Sequence, residues 1–238
     1  MIFMDKDEPN FIWKNQNALM DFGLIIENEI KEISPNKRYE TVSILGRSGE
    51  LYETFDDYEA YDLDIPNVSI QYDRLHEVKG WLSGTSQLIT HNDIDKYIEC
   101  TCSMNKPIEF ENEIGVFYKF DITFRCQPFR RKVNKEAEKI ALKSNSLEYH
   151  DPGQEKPRPF IELVSNGGDI IITLNQSKLT LANTSKGYLF VDNEKGLVVQ
   201  NNKLVLTKGE FLVGQPGWNE INVSNATNII IHRRSVWL

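Results

Sequence analysis

RYETVSILGRSGELYETFDDYEAYDLDIPNVSIQY, residues 38–72, is the stretch whose reading sets the fold. Over 38–45, Glu40, Val42 and Ile44 alternate with Tyr39, Thr41 and Ser43, the period of two that places successive side chains on opposite faces of a strand. Gly46, Arg47, Ser48 and Gly49 interrupt it, and two glycines around two polar residues suit backbone angles that other residues resist. A hairpin tip is expected there, with the chain returning through 50–54. A second alternating run, 61–72, carries Leu63, Ile65 and Ile70 against polar partners. Pro66 within it has no amide to donate, which predicts an edge strand or a bulge. Between the runs and into the second lie Glu50, Glu53, Asp56, Asp57, Glu59, Asp62 and Asp64, without a Lys or Arg from 50 to 72. Such a run is either a solvated loop face or a working electrostatic surface.

Working outward, 238 residues suffice for two domains that each bury a core. Nine prolines, fourteen glycines and many short Val, Ile, Leu and Phe runs predict a mainly β chain. No apolar run is long enough to span a membrane, so no membrane insertion is expected. The opening MIFMDKDEPNF carries Asp5, Asp7 and Glu8 where a secretory signal would be basic and then apolar, and it reads as a chain made in a cytosol. Residues 1–133 hold 15 Lys and Arg against 24 Asp and Glu, a net −9, while 134–238 hold 12 against 11. That sign argues against a reader of DNA and suits a protein that must not adhere to it.

In chain order, residues 21–26 read as a turn entering a strand. Residues 73–82 read as the one clear helix, with Asp73 as its cap, Leu75, Val78 and Leu82 on its apolar face, and His76 on its surface. Strands are expected over 87–90, 96–104 and 116–126, the last with Tyr118, Phe120, Ile122 and Phe124 on one face. Cys100 and Cys102 share a face, and with Cys126 they read as core thiols, one ligand short of a tetrahedral metal site. A domain boundary is placed at 133/134, where the composition turns polar. From Phe160 onward, short strands separated by turns, with a reversal at Gly167-Gly168, predict a β-sandwich over 134–232.

The chemistry of common active sites is missing. There is no G-x-S-x-G, no G-x-x-x-x-G-K-[ST] and no H-E-x-x-H, although the lack of a motif does not exclude an enzyme. Asp62 and Asp64 could serve calcium or a glycosidase, but 35 acidic residues make chance pairs common. No cofactor, metal or catalytic residue is expected.

Several segments in order resemble the distal tail protein family of long, non-contractile-tailed bacteriophages. They are Asp21-Phe22-Gly23-Leu24, Leu45-Gly46-Arg47-Ser48-Gly49-Glu50-Leu51, Trp81-Leu82, Gly115-Val116, Phe124-Arg125-Cys126-Gln127-Pro128, Pro216-Gly217-Trp218-Asn219-Glu220-Ile221 and the closing Trp237-Leu238. Leu45 and Ser48 depart from the family's usual Pro and Asp. The resemblance covers nearly the whole chain and implies a non-enzymatic structural protein of the virion, assembled in the host cytoplasm. The N-terminal domain would form a homo-hexameric ring at the tail tip, or baseplate, and the C-terminal domain a galectin-like sandwich. Implied partners are the tail tube protein, a tail-tip hub or tail-associated lysin and a receptor-binding protein, with DNA passing through the ring unbound. The chain has no room for the carbohydrate-binding insertions of many relatives.

Two expectations follow for particular residues. Glu53, Asp56, Asp57, Glu59, Asp62 and Asp64 would line the inner wall of the ring and repel DNA. Residues 233–238, ending in Val236, Trp237 and Leu238, would leave the sandwich and pack on the acidic first domain, with Arg233 and Arg234 crossing toward it. A rival reading makes the sandwich a carbohydrate-binding module for cell-wall attachment, with a sugar against Trp218 or Tyr188.

Overall fold

The computed structural model describes residues 4–5, 7–104, 106–111 and 117–238; Gly115 and Val116 lie outside them. Two compact units account for the chain, residues 1–130 with Leu238 grouped among them, and residues 131–237. Both are built mainly of antiparallel strands. No helix among the described residues is long and apolar enough to cross a membrane.

The first unit is an eight-stranded sheet in the order Gln16–Asn17, Phe11–Trp13, Gly84–Thr90, Lys96–Cys102, Phe117–Lys132, Tyr61–Gln71 and Ile25–Ile26, with Ile108–Glu111 branching from Phe117–Lys132. Phe120, Ile122, Phe124 and Cys126 alternate into its core, meeting Leu63, Ile65, Val68 and Ile70 of the neighbouring strand. Pro66 falls where the register of these two strands slips, between Phe120 and Ile122. Asn67 there has φ +54, and its amide donates to Asp121 Oδ1 at 3.1 Å, so the proline sits in a bulge and costs the ladder no bond.

Helix Leu75–Trp81 follows a 3₁₀ turn, Tyr72–Arg74, and buries Leu75, Val78 and Trp81. Asp73 lies inside that turn and does not cap the helix. Trp81 and Trp13 exchange hydrogen bonds: each indole Nε1 donates to the other's backbone carbonyl, at 3.0 and 3.1 Å. Phe11 and Phe22 stack on Trp81, at ring centroid distances of 5.7 and 4.2 Å. A second helix, Ala18–Phe22, occupies part of the stretch read as a turn entering a strand. Asn17 Oδ1 accepts from the amides of Leu19 and Met20, and Gly23 at φ +68 ends the helix. At five residues it is too short to display a helical period.

The second unit is organised by two long strands, Phe160–Leu174 and Ser177–Asp192, paired along their length. The chain does not reverse at Gly167-Gly168. Both glycines have positive φ and sit where the register shifts, so the strand bends there and continues; the reversal comes at Asn175 and Gln176. The bend lets one strand serve two leaves. Its first half pairs with Ala226–His232 and its second half with Gly217–Val223, while Ser177–Asp192 carries Leu197–Gln200 at one end and Thr207–Gly209 at the other. Between the leaves Ile161, Leu163, Leu189, Val191 and Ile231 meet Ile172, Leu174, Leu179, Leu181 and Ile221 in one buried cluster. A single strand running through both leaves explains why short strands and turns were legible in the sequence and their continuity was not.

Candidate functional site

Lys37–Ser43 and Glu50–Tyr58 form an arm, a two-stranded ribbon that pairs with no other strand among the described residues. Gly46, Arg47, Ser48 and Gly49 lie in the loop between its strands. The Arg47 amide donates to the Ile44 carbonyl at 3.1 Å, and Gly46 and Gly49 have φ of +83 and +88. Opposed residues share a face, so Tyr39, Thr41, Tyr52 and Thr54 lie on one side and Glu40, Val42, Leu51 and Glu53 on the other. Both sides are exposed. Tyr39, Val42, Ile44, Leu45, Leu51, Tyr52 and Phe55 are all large apolar side chains in contact with solvent.

The root of the arm is fixed by charge. Arg38 forms a two-pronged pair with Asp57, Lys37 lies 3.5 Å from Asp56, and Tyr58 packs edge-on against Phe129 at 5.3 Å. Hydrogen bonding to Asp57, and then its charge, raises the Arg38 pKa above its ordinary value. Farther along the ribbon, Glu40 and Glu53 are directly opposed, and neither carboxylate has a salt-bridge partner among the described residues.

The acidic run is therefore not one loop. Glu53, Asp56 and Asp57 belong to the arm, Glu59 to the turn after it, and Asp62 and Asp64 to the strand Tyr61–Gln71. Asp62 faces Arg125 across the ladder at 3.2 Å, and Asp64 accepts from the Thr123 hydroxyl and from Lys106 Nζ at 3.0 Å. The Thr123 bond first, and the Lys106 bond next, hold the Asp64 carboxyl below the usual carboxylate range. Lys37, Arg38, Lys106 and Arg125 all lie outside 50–72, so the run looked uncompensated in the sequence.

Cys100, Cys102 and Cys126 are buried free thiols, and no group of metal-ligating side chains occurs among the described residues. A hydrogen bond from the Cys100 thiol to the Cys126 sulfur, followed by burial, raises the Cys100 pKa far above its ordinary value, and burial pushes Cys102 up to about 12. His76 is exposed on its helix.

Residues 233–236 depart from expectation, whereas Leu238 groups with the first unit. Arg233 donates to the Ala137 and His150 carbonyls and to Glu138, and Arg234 pairs with Asp192 at 2.7 Å and Glu194 at 3.1 Å. Ser235 donates through its amide to Glu138 and through its hydroxyl to Asp151, and Val236 is buried and bridges to Glu155. All these partners belong to the second unit. Neither arginine crosses toward the first half, because carboxylates of their own unit lie within bonding distance. Trp237 is half-buried, with Lys132 Nζ 5.4 Å from its ring centre.

No protein-family model matches this chain, and no curated protein matches it in sequence. Among solved structures, it is similar to the SPP1 Dit (gp 19.1) protein, described as a paradigm of the hub adsorption apparatus in phages infecting Gram-positive bacteria. The TM-score is 0.73 over 94% of this chain and 97% of that one, at 13% identity. At that identity the likeness establishes a shared fold, across both units.

Proposed function

We propose that this chain is a structural protein of a phage tail tip, a non-enzymatic hub. Six copies form a ring that joins the tail tube protein to the tail-tip and receptor-binding proteins, and DNA passes through its channel without specific binding. The observation that carries this reading is the arm. An isolated two-stranded ribbon is marginal in water, and this one holds large apolar side chains on both faces. A second copy of the chain is the partner always present in matching amount, and a closed ring leaves every arm covered. The fold shared with a phage hub protein supports the setting.

In the same reading the six acidic residues of 53–64 face the channel, where carboxylates repel a polyanion within about 8 Å in physiological salt. Four of them are paired within their own unit. The repulsion therefore rests chiefly on Glu53 and Glu59.

Sedimentation and negative-stain imaging test the assembly. The full chain is expected to give six-fold rings, and a chain with 37–58 replaced by a short Gly-Ser link is expected to stay monomeric. A full chain that remains a monomer even with its tube and tip partners overturns the reading.

A further inference from the structure

The outer face of the second unit carries a side-chain arrangement that assembly through the arm does not use. Strands Ser146–Asp151 and Gly217–Val223 pair with His150 opposite Trp218, Glu148 opposite Glu220 and Ser146 opposite Asn222. Trp218 is 68% exposed, so it does not pack into the core. Its position is nevertheless fixed. The Trp218 carbonyl accepts from Gln215 Nε2 at 2.8 Å, and His150 meets the indole edge-on at 5.5 Å. Buried Asn219 bonds to Gln215, Gly217 and Asn175 beneath it.

Beside the indole, Glu148, Asn175, Trp218, Asn219 and Glu220 line a shallow depression of about 430 Å³. A second, of about 400 Å³, continues on the same strands over Ser146, Ile171, Thr173, Asn222 and Ser224, with Ile171 its exposed apolar side chain. The Glu148 carboxylate has no salt-bridge or hydrogen-bond partner among the described residues, and the Glu220 carboxylate accepts one bond, from Asn222 at 3.1 Å.

We propose that this face binds a neutral pyranose polysaccharide, one sugar ring lying on Trp218 with its hydroxyls donating to Glu148 and Glu220. A pyranose has an apolar C–H face and a rim of hydroxyls, and a fixed exposed indole beside carboxylates and amides complements both. Two unneutralised carboxylates disfavour an anionic polymer. His150 against the indole, with Gln215 and Asn219 holding the backbone that carries it, lowers the ordering cost of binding. The inference concerns a single chain and stands whether or not the chain forms rings.

The test is calorimetric titration of the full chain, with tryptophan fluorescence alongside. The probes are neutral oligomers of glucose, galactose, rhamnose and N-acetylglucosamine, with polyglycerol phosphate and spermine as charged controls. At least one neutral oligomer is expected to bind. Trp218→Ala should weaken it about tenfold or more, Glu148→Gln with Glu220→Gln should weaken it several-fold, and Trp218→Phe should keep most of the affinity while losing the fluorescence change. Trp218→Ala should melt like the parent, since its ring is largely exposed. Lack of binding by every neutral oligomer overturns the proposal, as does affinity unchanged in Trp218→Ala or binding of only the charged controls.

Discussion

Gly49 sits at φ +88 with open space where a Cβ would go, so backbone conformation alone opposes a substitution there. Valine in that region costs roughly 1–3 kcal/mol. The arm packs into no core, so this cost is expected to appear as local opening. In Gly49→Val, amide exchange across 39–54 should speed up about 5- to 150-fold, with the melting temperature of the unit nearly unchanged; parental exchange would show that the loop does not depend on this glycine. Asp151 presents the opposite case, a carboxyl under strain from its surroundings. Burial pushes its pKa up, against the bonds it accepts from the Gly153 amide and Ser235 hydroxyl. The folded state then holds a proton that the unfolded state releases, so stability falls as pH rises from the ordinary carboxylate range through the raised value. Asp151→Asn keeps an acceptor without the charge. Its stability relative to the parent, followed by urea unfolding from about pH 3 to about pH 8, a window that starts at the ordinary carboxylate range, is expected to grow with pH and then level off. A constant difference would mean that the Asp151 carboxyl does not titrate in that window.

At the scale of the element, the arm was the most legible part of the chain. Its alternation and paired glycines predicted two strands and a turn, both of which are present. Exposure of both faces was not legible, because a period of two says that faces differ and not which is covered. The opposed Glu40 and Glu53 follow from register, which the six-residue loop between Ser43 and Glu50 sets. Like charges placed opposite each other weaken a ribbon. Glu53→Lys is expected to stabilise the arm by about 0.2–1 kcal/mol, read as slower amide exchange in the arm of the monomer. Unchanged or faster exchange would show that the two carboxylates do not oppose each other in solution.

For the whole molecule, Ser235 and Val236 near the chain end belong to the second unit's stability. Removing residues 235–238 strips the Ser235 bonds from Glu138 and Asp151 and exposes the site of Val236, which is only 3% accessible. Loss of one buried apolar side chain and two bonds to buried carboxylates is expected to cost about 2–4 kcal/mol. The loss should be read in urea unfolding of the full chain, with exchange in strands Phe160–Leu174 and Ser177–Asp192 reporting on the second unit. Unfolding of these strands at the parental midpoint would exclude the tail from their stability.

Sequence by itself determined the mainly β character, a helix within 73–82, the shared face of Phe120, Ile122 and Phe124 and an edge or bulge at Pro66, since each depends on the period or backbone limits of a few adjacent residues. It also carried a resemblance whose fold the SPP1 Dit structure shares. Only the tertiary structure decided what each surface meets. Lys106 and Arg125 reach the acidic strand from 42 and 63 residues away, Glu138 and Asp192 hold the arginines near the chain end, and Trp218 is left to solvent. A charge or a ring is worth what lies within a few ångströms of it, and in antiparallel sheets those neighbours come from distant parts of the chain.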